Sequence, residues 1–286
     1  MSCPSRRAVL GSTAMVLGSL AGCLGAPAES DTATTTPTET ERRTSESTEP
    51  PTPAYDVDVT NIRVVPELVA FDSPDSTSTV GTRDEQFVVA TVSAADESGP
   101  RYSEFELVTG DDVVQPITAV ENSRAHRLWP RNDGPYTMGG VGYLVFRLPK
   151  PTDTASVALE WPGGSYEHDS DTVSKLRRPP AEFVVHGMSA EQQGDRLTDV
   201  TVTIEVENTS SVAGTFVGAL DRVGPYVAYT PEEAVGLEVP AEETATWSHT
   251  FELPLPAEDE YSIATFALDW RAGRLETNVD LREGER

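Results

Sequence analysis

The strongest constraint on this chain is that it repeats itself. Phe146-Arg-Leu-Pro-Lys-Pro151 is followed by Val157-Ala-Leu-Glu-Trp161, and Phe251-Glu-Leu-Pro-Leu-Pro256 is followed by Phe266-Ala-Leu-Asp-Trp270. Gly134-Pro-Tyr136 precedes the first set and Gly224-Pro-Tyr226 the second. Three matches in one order predict two copies of one unit, each of about 105 residues, the size of a β-sandwich. In each copy a Phe-x-Leu strand is ended by prolines, which remove ladder donors. The next strand closes on a tryptophan, so Trp161 and Trp270 are expected as core plugs rather than ligand-stacking rings.

The local pattern agrees. Val200-Thr-Val-Thr-Ile-Glu-Val206 alternates apolar and polar, the period of a half-buried strand. Ala245, Trp247, His249, Phe251 and Leu253 alternate with polar residues in the same way. Gln86 to Val92 and Val141 to Leu148 read as more continuous apolar strands. No helical period runs far along residues 55–286, and Gly, Pro, Asn and Asp clusters separate the strands. The fold class expected is all-β, two tandem β-sandwiches at residues 55–165 and 181–286. Residues 166–180, with Gly, Ser, Asp and Pro around and Arg177-Arg178-Pro-Pro at the end, are expected to be the linker.

The N-terminus predicts where the sandwiches work. Arg6 and Arg7 begin a short apolar run from Ala8 to Ala21, too short to cross a bilayer. This order resembles a twin-arginine export signal over residues 1–22. Leu20-Ala21-Gly22-Cys23 is similar to the lipobox of prokaryotic lipoproteins, whose cysteine takes up lipid through its thiolate. The resemblance implies lipidation of Cys23 and anchoring on the outer face of the cell membrane. A two-chain lipid, at about 0.8 kcal/mol per buried CH₂, holds firmly. Residues 23–54, rich in Thr, Ser, Pro and Glu, are expected as a disordered stalk.

Charge narrows the setting. The chain carries 21 basic and 47 acidic side chains, a net charge of −26. Loss of residues 1–22 takes Arg6 and Arg7 and no acid, leaving 19 basic against 47 acidic, or −28. Lysine occurs twice, at Lys150 and Lys175. A surface rich in Asp and Glu and poor in Lys resembles haloarchaeal proteins, for which concentrated salt screens self-repulsion. No basic patch is evident in the sequence, so nucleic acid is not expected as a partner. Asp199 to Phe216, ending Val-Glu-Asn-Thr-Ser-Ser-Val-Ala-Gly-Thr-Phe, looks like the start of adhesion-type immunoglobulin-like modules of prokaryotic surface proteins. Gly81-Thr-Arg-Asp-Glu-Gln-Phe87, leading into Val88-Val-Ala-Thr-Val92, is similar to extracellular lipoprotein domains of that sandwich type.

Catalytic signatures are missing from the sequence. Cys3 lies in the signal and Cys23 at the anchor, so the sandwiches have no thiol for a disulfide, zinc site or blue-copper centre. His126, His168, His186 and His249 show no metal-ligand spacing, and His249 is expected to be a hydrogen-bonded core residue. No nucleophile elbow, phosphate loop or zinc-protease helix occurs, so the chain is expected not to be an enzyme. A hydrolase would need a cleft gathering His126 or His186 with carboxylates. No cofactor is expected beyond Ca²⁺, for which Glu167, Asp169 and Asp171 offer alternating carboxylates. The competing reading of that run, and of the weaker Asp72-Ser-Pro-Asp75, is a solvated acidic loop. Asn208-Thr209-Ser210 is the one glycosylation sequon, although Asn208 could instead cap its turn. The function expected is non-catalytic display of two sandwiches for protein or ligand contact, with the membrane and envelope proteins as partners. The alternative is an accessory solute- or ion-binding subunit of a membrane transporter or enzyme, which would need a pocket, for example between the copies.

Overall fold

The structure is a computed structural model in which residues 54–95, 99–119, 127–129, 134–193, 196–254 and 262–281 are described. Arg6, Arg7, Cys23, the stalk and His126 lie outside the described residues. Among the described residues no helix is long and apolar enough to cross a membrane.

In chain order the strands of the first half are β1 (Val57–Val65), β2 (Leu68–Phe71), β3 (Thr77–Val80), β4 (Glu85–Ala94), β5 (Glu106–Thr109), β6 (Asp112–Val114), β7 (Val141–Pro149), β8 (Val157–Trp161) and β9 (Gly164–Glu167). One helix, α1 (Ser170–Leu176), follows. The second half has β10 (Phe183–Gln193), β11 (Arg196–Asn208), β12 (Gly214–Val223), β13 (Thr230–Val239), β14 (Thr244–Glu252), β15 (Ile263–Trp270) and β16 (Gly273–Asp280).

The two halves share one strand plan. In the first, sheet β1-β4-β7 faces sheet β6-β5-β8-β9; in the second, sheet β10-β11-β14 faces sheet β13-β12-β15-β16. With the strands of each copy lettered A to G, both read A-B-E against D-C-F-G. That is an immunoglobulin-like sandwich with its fourth strand on the second sheet. The hairpin β2–β3 is an insertion between A and B of the first copy alone.

The repeated motifs fall on equivalent strands, with one exception. Phe146 and Phe251 lie on the two E strands, and Trp161 and Trp270 end the two F strands. Each tryptophan pairs with a glycine three residues on, Gly164 or Gly273, across a tight turn. A Cβ on Gly164 would come within 2.6 Å of the Trp161 ring, and one on Gly273 within 3.0 Å of the Trp270 ring. Both rings therefore lie across their turns and are only partly buried against the core edge. Each ring packs on the core of its own sandwich, as expected of a plug, but at its partly buried edge. Gly134-Pro-Tyr136 and Gly224-Pro-Tyr226 are not equivalent. The first precedes an E strand and puts Tyr136 in the core at 2% exposure, edge-on to Phe105 at 5.2 Å. The second joins C to D and leaves Tyr226 at 53% exposure.

Burial explains the two kinds of strand pattern. On β4, Val88, Ala90 and Val92 face the sandwich core while Phe87 and Val89 face a second cluster under the β2–β3 hairpin. On β7, Leu144, Phe146 and Leu148 face the core, and Tyr143 and Val145 face the hairpin. Both strands are covered on two faces and so read as continuous apolar runs. On β11 the buried apolar residues are Val200, Val202, Ile204 and Val206, on one face, and the residues between them are more exposed, so the sequence alternates.

Residues 166–180, expected to be a linker, are mostly structured. Tyr166 and Glu167 complete β9, and α1 follows with Asp169 as its N-cap. Leu176 has 0% exposure and joins the first core. Only residues 177–182 bridge the sandwiches. The helix went unnoticed because seven residues with one inward leucine carry too little period to read.

Candidate functional site

The inserted hairpin fixes the relation between the two sandwiches. Leu68 and Ala70 of β2 face their own domain, while Val69, at the opposite parity, packs on Val217 and Ala219 of β12. Strand β3 would present bare backbone donors at its edge. The carboxylate of Asp221 on β12 accepts from Thr77 N–H at 2.9 Å and from Thr77 Oγ1 at 2.6 Å. Asp269 on β15 accepts from Thr79 N–H at 3.3 Å. Burial raises the pKa of Asp221 and of Asp269, and the hydrogen bonds from threonine oppose it. The hairpin is thus a wedge with an apolar centre and two acidic clasps.

Beside this wedge the bridge between domains closes over a small cavity of about 30 Å³. Its wall includes Arg83 after β3, Lys150 after β7, Lys175 on α1, Arg178 on the bridge and Arg271 after β15. Both lysines of the chain are among them, in a protein whose net charge is −26. Glu67, which precedes β2, is the one acidic residue on that wall.

Four of the five cations have carboxylate partners. Arg271 Nη1 donates to Glu67 Oε1 at 2.7 Å and Arg178 Nη1 to Glu238 at 3.3 Å. Lys175 pairs with Asp171 at 2.8 Å, and Arg83 pairs with Glu182. Among the described residues, the Lys150 ammonium has none. Burial lowers its pKa, and the nearby charges of Arg178 and Arg271 lower it further, outweighing the pull of Glu238 and Glu67. Glu67 is 6% exposed, and its Oε2 is buried with no hydrogen-bond partner among the described residues. Burial pushes its pKa up to about 7, against the attraction of Arg271. A second interdomain cavity of about 120 Å³ lies on the other side of Glu67, with Leu128, Trp129, Val217 and Ala234 in its wall.

The residues singled out by sequence fall elsewhere. Glu167 ends β9, Asp169 caps α1 by accepting from Thr172 N–H at 2.9 Å, and Asp171 pairs with Lys175. These carboxylates do not converge as a Ca²⁺ site would require, and no group of three His, Cys, Asp or Glu among the described residues could hold a metal. Asn208 is corrected as a glycosylation site. It has 0% exposure, and its Nδ2, the atom a glycan would occupy, donates to Val212 O at 2.8 Å and Val239 O at 3.1 Å. Its Oδ1 accepts from Ser210 N–H, so the side chain pins the turn.

The histidines stand apart. His186 sits at a bulge of β10 with Glu207 at 2.7 Å. His249 keeps the inward parity of β14 but is exposed, its ring stacked on Trp247 and tilted against Phe251. The core role expected for it is therefore corrected. Neither residue lines the interdomain cavity. The sequence reading missed the cavity because its five cations come from separate segments. The one signal in the sequence is the rarity of lysine, with both lysines on this wall.

The chain is thus an all-β protein of two sandwiches with a cationic cleft between them. No family model matches it, and no curated protein does. Among solved structures it is similar to a GH3 β-glucosidase from Bifidobacterium adolescentis, at 16% identity over 35% of this chain and 17% of that one, with a TM-score of 0.27. A DUF3823 family protein from Bacteroides ovatus matches at 12% identity over 63% of this chain and 90% of that one, TM-score 0.21. A GH2 β-galacturonidase from Eisenbergiella tayi matches at 12% identity over 82% and 44%, TM-score 0.24. The chain spans less than half the length of either glycoside hydrolase. Likeness at this level bears on no activity, and the sandwich assignment rests on the strand orders themselves.

Proposed function

We propose that this chain is a non-catalytic surface lipoprotein, tethered at Cys23, that engages a ligand or envelope partner through the cleft between its two sandwiches. The observation that carries the reading is the gathering of both lysines and three arginines at one interdomain site of a strongly acidic protein. The wedge supports it, since a site built from two domains needs them held in register. The anchor and the stalk rest on the order of charge, apolar run and lipobox in residues 1–23. The same cleft favours the second reading, an accessory solute-binding subunit, over simple display of two passive domains.

A photo-crosslinking residue placed at Thr215, on the cleft wall, tests this in membranes from cells producing the full chain. A second placed at Thr203, on the solvent face of β11, serves as the reference. Specific adducts at Thr215 that vanish with Lys150→Met support the reading. Adducts at Thr203 alone, or none at either position, reject it.

A further inference from the structure

We propose that the cleft is a binding site for a compact oxyanion, a carboxylate or a phosphate group, held by Lys150 with the free nitrogens of Arg178 and Arg271. This deepens the function proposed above by naming the chemistry of its ligand.

The argument begins with an electrostatic imbalance. Like charges brought together away from bulk water repel more strongly than at an open surface. The chain has 47 acidic side chains, so a counter-ion for Lys150 was within easy reach of sequence change. Instead, the dominant charges around this half-buried ammonium are those of Arg178 and Arg271. Each guanidinium commits one nitrogen, Nη1, to its carboxylate. A guanidinium carries five N–H donors in a planar fork, so each keeps donors for an incoming oxyanion, and lysine adds a point charge.

Size sets the class of ligand. A cavity of about 30 Å³ has room for roughly two water molecules, hence for an anionic group but not a sugar ring or a peptide side chain in full. The larger part of any ligand would lie outside, toward solvent. Glu67 does not oppose the anion strongly. Its charge is matched by Arg271, and burial holds its carboxyl partly neutral near pH 7.

A purely structural role makes a different prediction. The pairs Arg83–Glu182 and Arg271–Glu67 cross between the domains and strengthen their junction, whereas the Lys150 ammonium makes no ion pair among the described residues. An ammonium on which the repulsion of Arg178 and Arg271 outweighs the attraction of Glu238 and Glu67 is a cost to the ligand-free fold, of the kind retained at functional sites.

The test is calorimetric titration of the full-length chain in detergent, at constant ionic strength, with inorganic phosphate, acetate and chloride in separate arms. Saturable one-site binding of phosphate or acetate is expected, with chloride weaker than either. The tighter of the two oxyanions identifies the group. Lys150→Met is expected to weaken binding about tenfold or more, the loss of one charge-assisted hydrogen bond. The same substitution should leave the ligand-free melting temperature unchanged or raised. Arg101→Gln, at an exposed residue of the first domain that is not on the cavity wall, should bind as the parent does.

Absence of saturable binding in both oxyanion arms overturns the proposal. So does equal binding of chloride, or Lys150→Met binding normally. A lowered melting temperature in ligand-free Lys150→Met would assign the lysine to the fold instead. If no oxyanion binds while the Thr215 adducts persist, the oxyanion assignment falls and the cleft remains the contact surface.

Discussion

At the scale of single residues, burial rather than sequence identity decides which charged groups are unusual. Glu67 is one carboxylate among many in an acidic chain, yet burial raises its pKa from the ordinary 4.5 to about 7 even with Arg271 beside it. A raised carboxyl pKa means that the folded state holds the proton more tightly than the unfolded one. The resulting stability is fully present below about pH 4.5 and is lost as pH climbs through about 7. Glu67→Gln keeps a neutral acceptor for Arg271 and removes the titration. The stability of the variant relative to the parent should therefore rise between pH 4.5 and pH 8, by on the order of 3 kcal/mol. Urea unfolding of both proteins across that range measures it, and parallel curves would contradict it. Asn208 shows the same lesson in a neutral residue. The sequon is visible in sequence, but only the fold reveals that its amide nitrogen is already spent on two buried carbonyls.

At the scale of elements, strands with one wet face and long strands with two dry faces are legible in the sequence, and short or bulged strands are harder. Val200 to Val206 announced β11 because its outer face is polar. The first strand of each copy was hidden by a bulge. On β1 the inward residues are Val57 and Val59, then Ile62 and Val64, because Thr60 is an extra residue that shifts the parity. On β10 they are Phe183 and Val185, then Met188 and Ala190, with His186 as the extra residue. A parity shift erases the period-2 signal while keeping the apolar side inward. The two bulges sit at equivalent places, and they extend the repeat to strands where the sequence shows no likeness. The β2–β3 hairpin is not legible either, since strands of four residues, one of them buried throughout, carry too little alternation to read. Its acidic clasp gives a direct test. Asp221→Ala removes two acceptors and leaves the Thr77 amide buried without a partner, at a cost of about 2–5 kcal/mol. Asp221→Asn keeps one acceptor and should cost less. Denaturant midpoints that do not move in the alanine variant would mean the wedge contributes nothing to the fold.

At the scale of the whole molecule, the charge balance read from sequence has two consequences that act in opposite directions. Net repulsion at −26 destabilises a compact body in dilute buffer, and salt screens it over a Debye length that falls from about 10 Å at 0.1 M to about 3 Å at 1 M. The melting temperature is expected to rise from 0.1 M to 2 M KCl, and to rise more than in sucrose of equal osmolality. A flat or falling response in KCl would show that the acids do not strain the fold. The same salt would weaken the cleft's hold on an anion, so stability and binding should respond to KCl with opposite signs.

The chain by itself determined the all-β class, the duplication and the acidic surface, because alternation, repeated motifs and composition are local or additive properties. The Trp-x-x-Gly turns also belong here, since a ring lying across a glycine is a contact between residues close in sequence. Only the tertiary structure decided that the two sandwiches are wedged together, that Asn208 is closed to modification and that Glu167, Asp169 and Asp171 go separate ways. It alone brought Arg83, Lys150, Lys175, Arg178 and Arg271 to one wall. Those outcomes depend on which distant segments meet, and a charge or an amide has no assigned role until burial and neighbours set the free energy of using it.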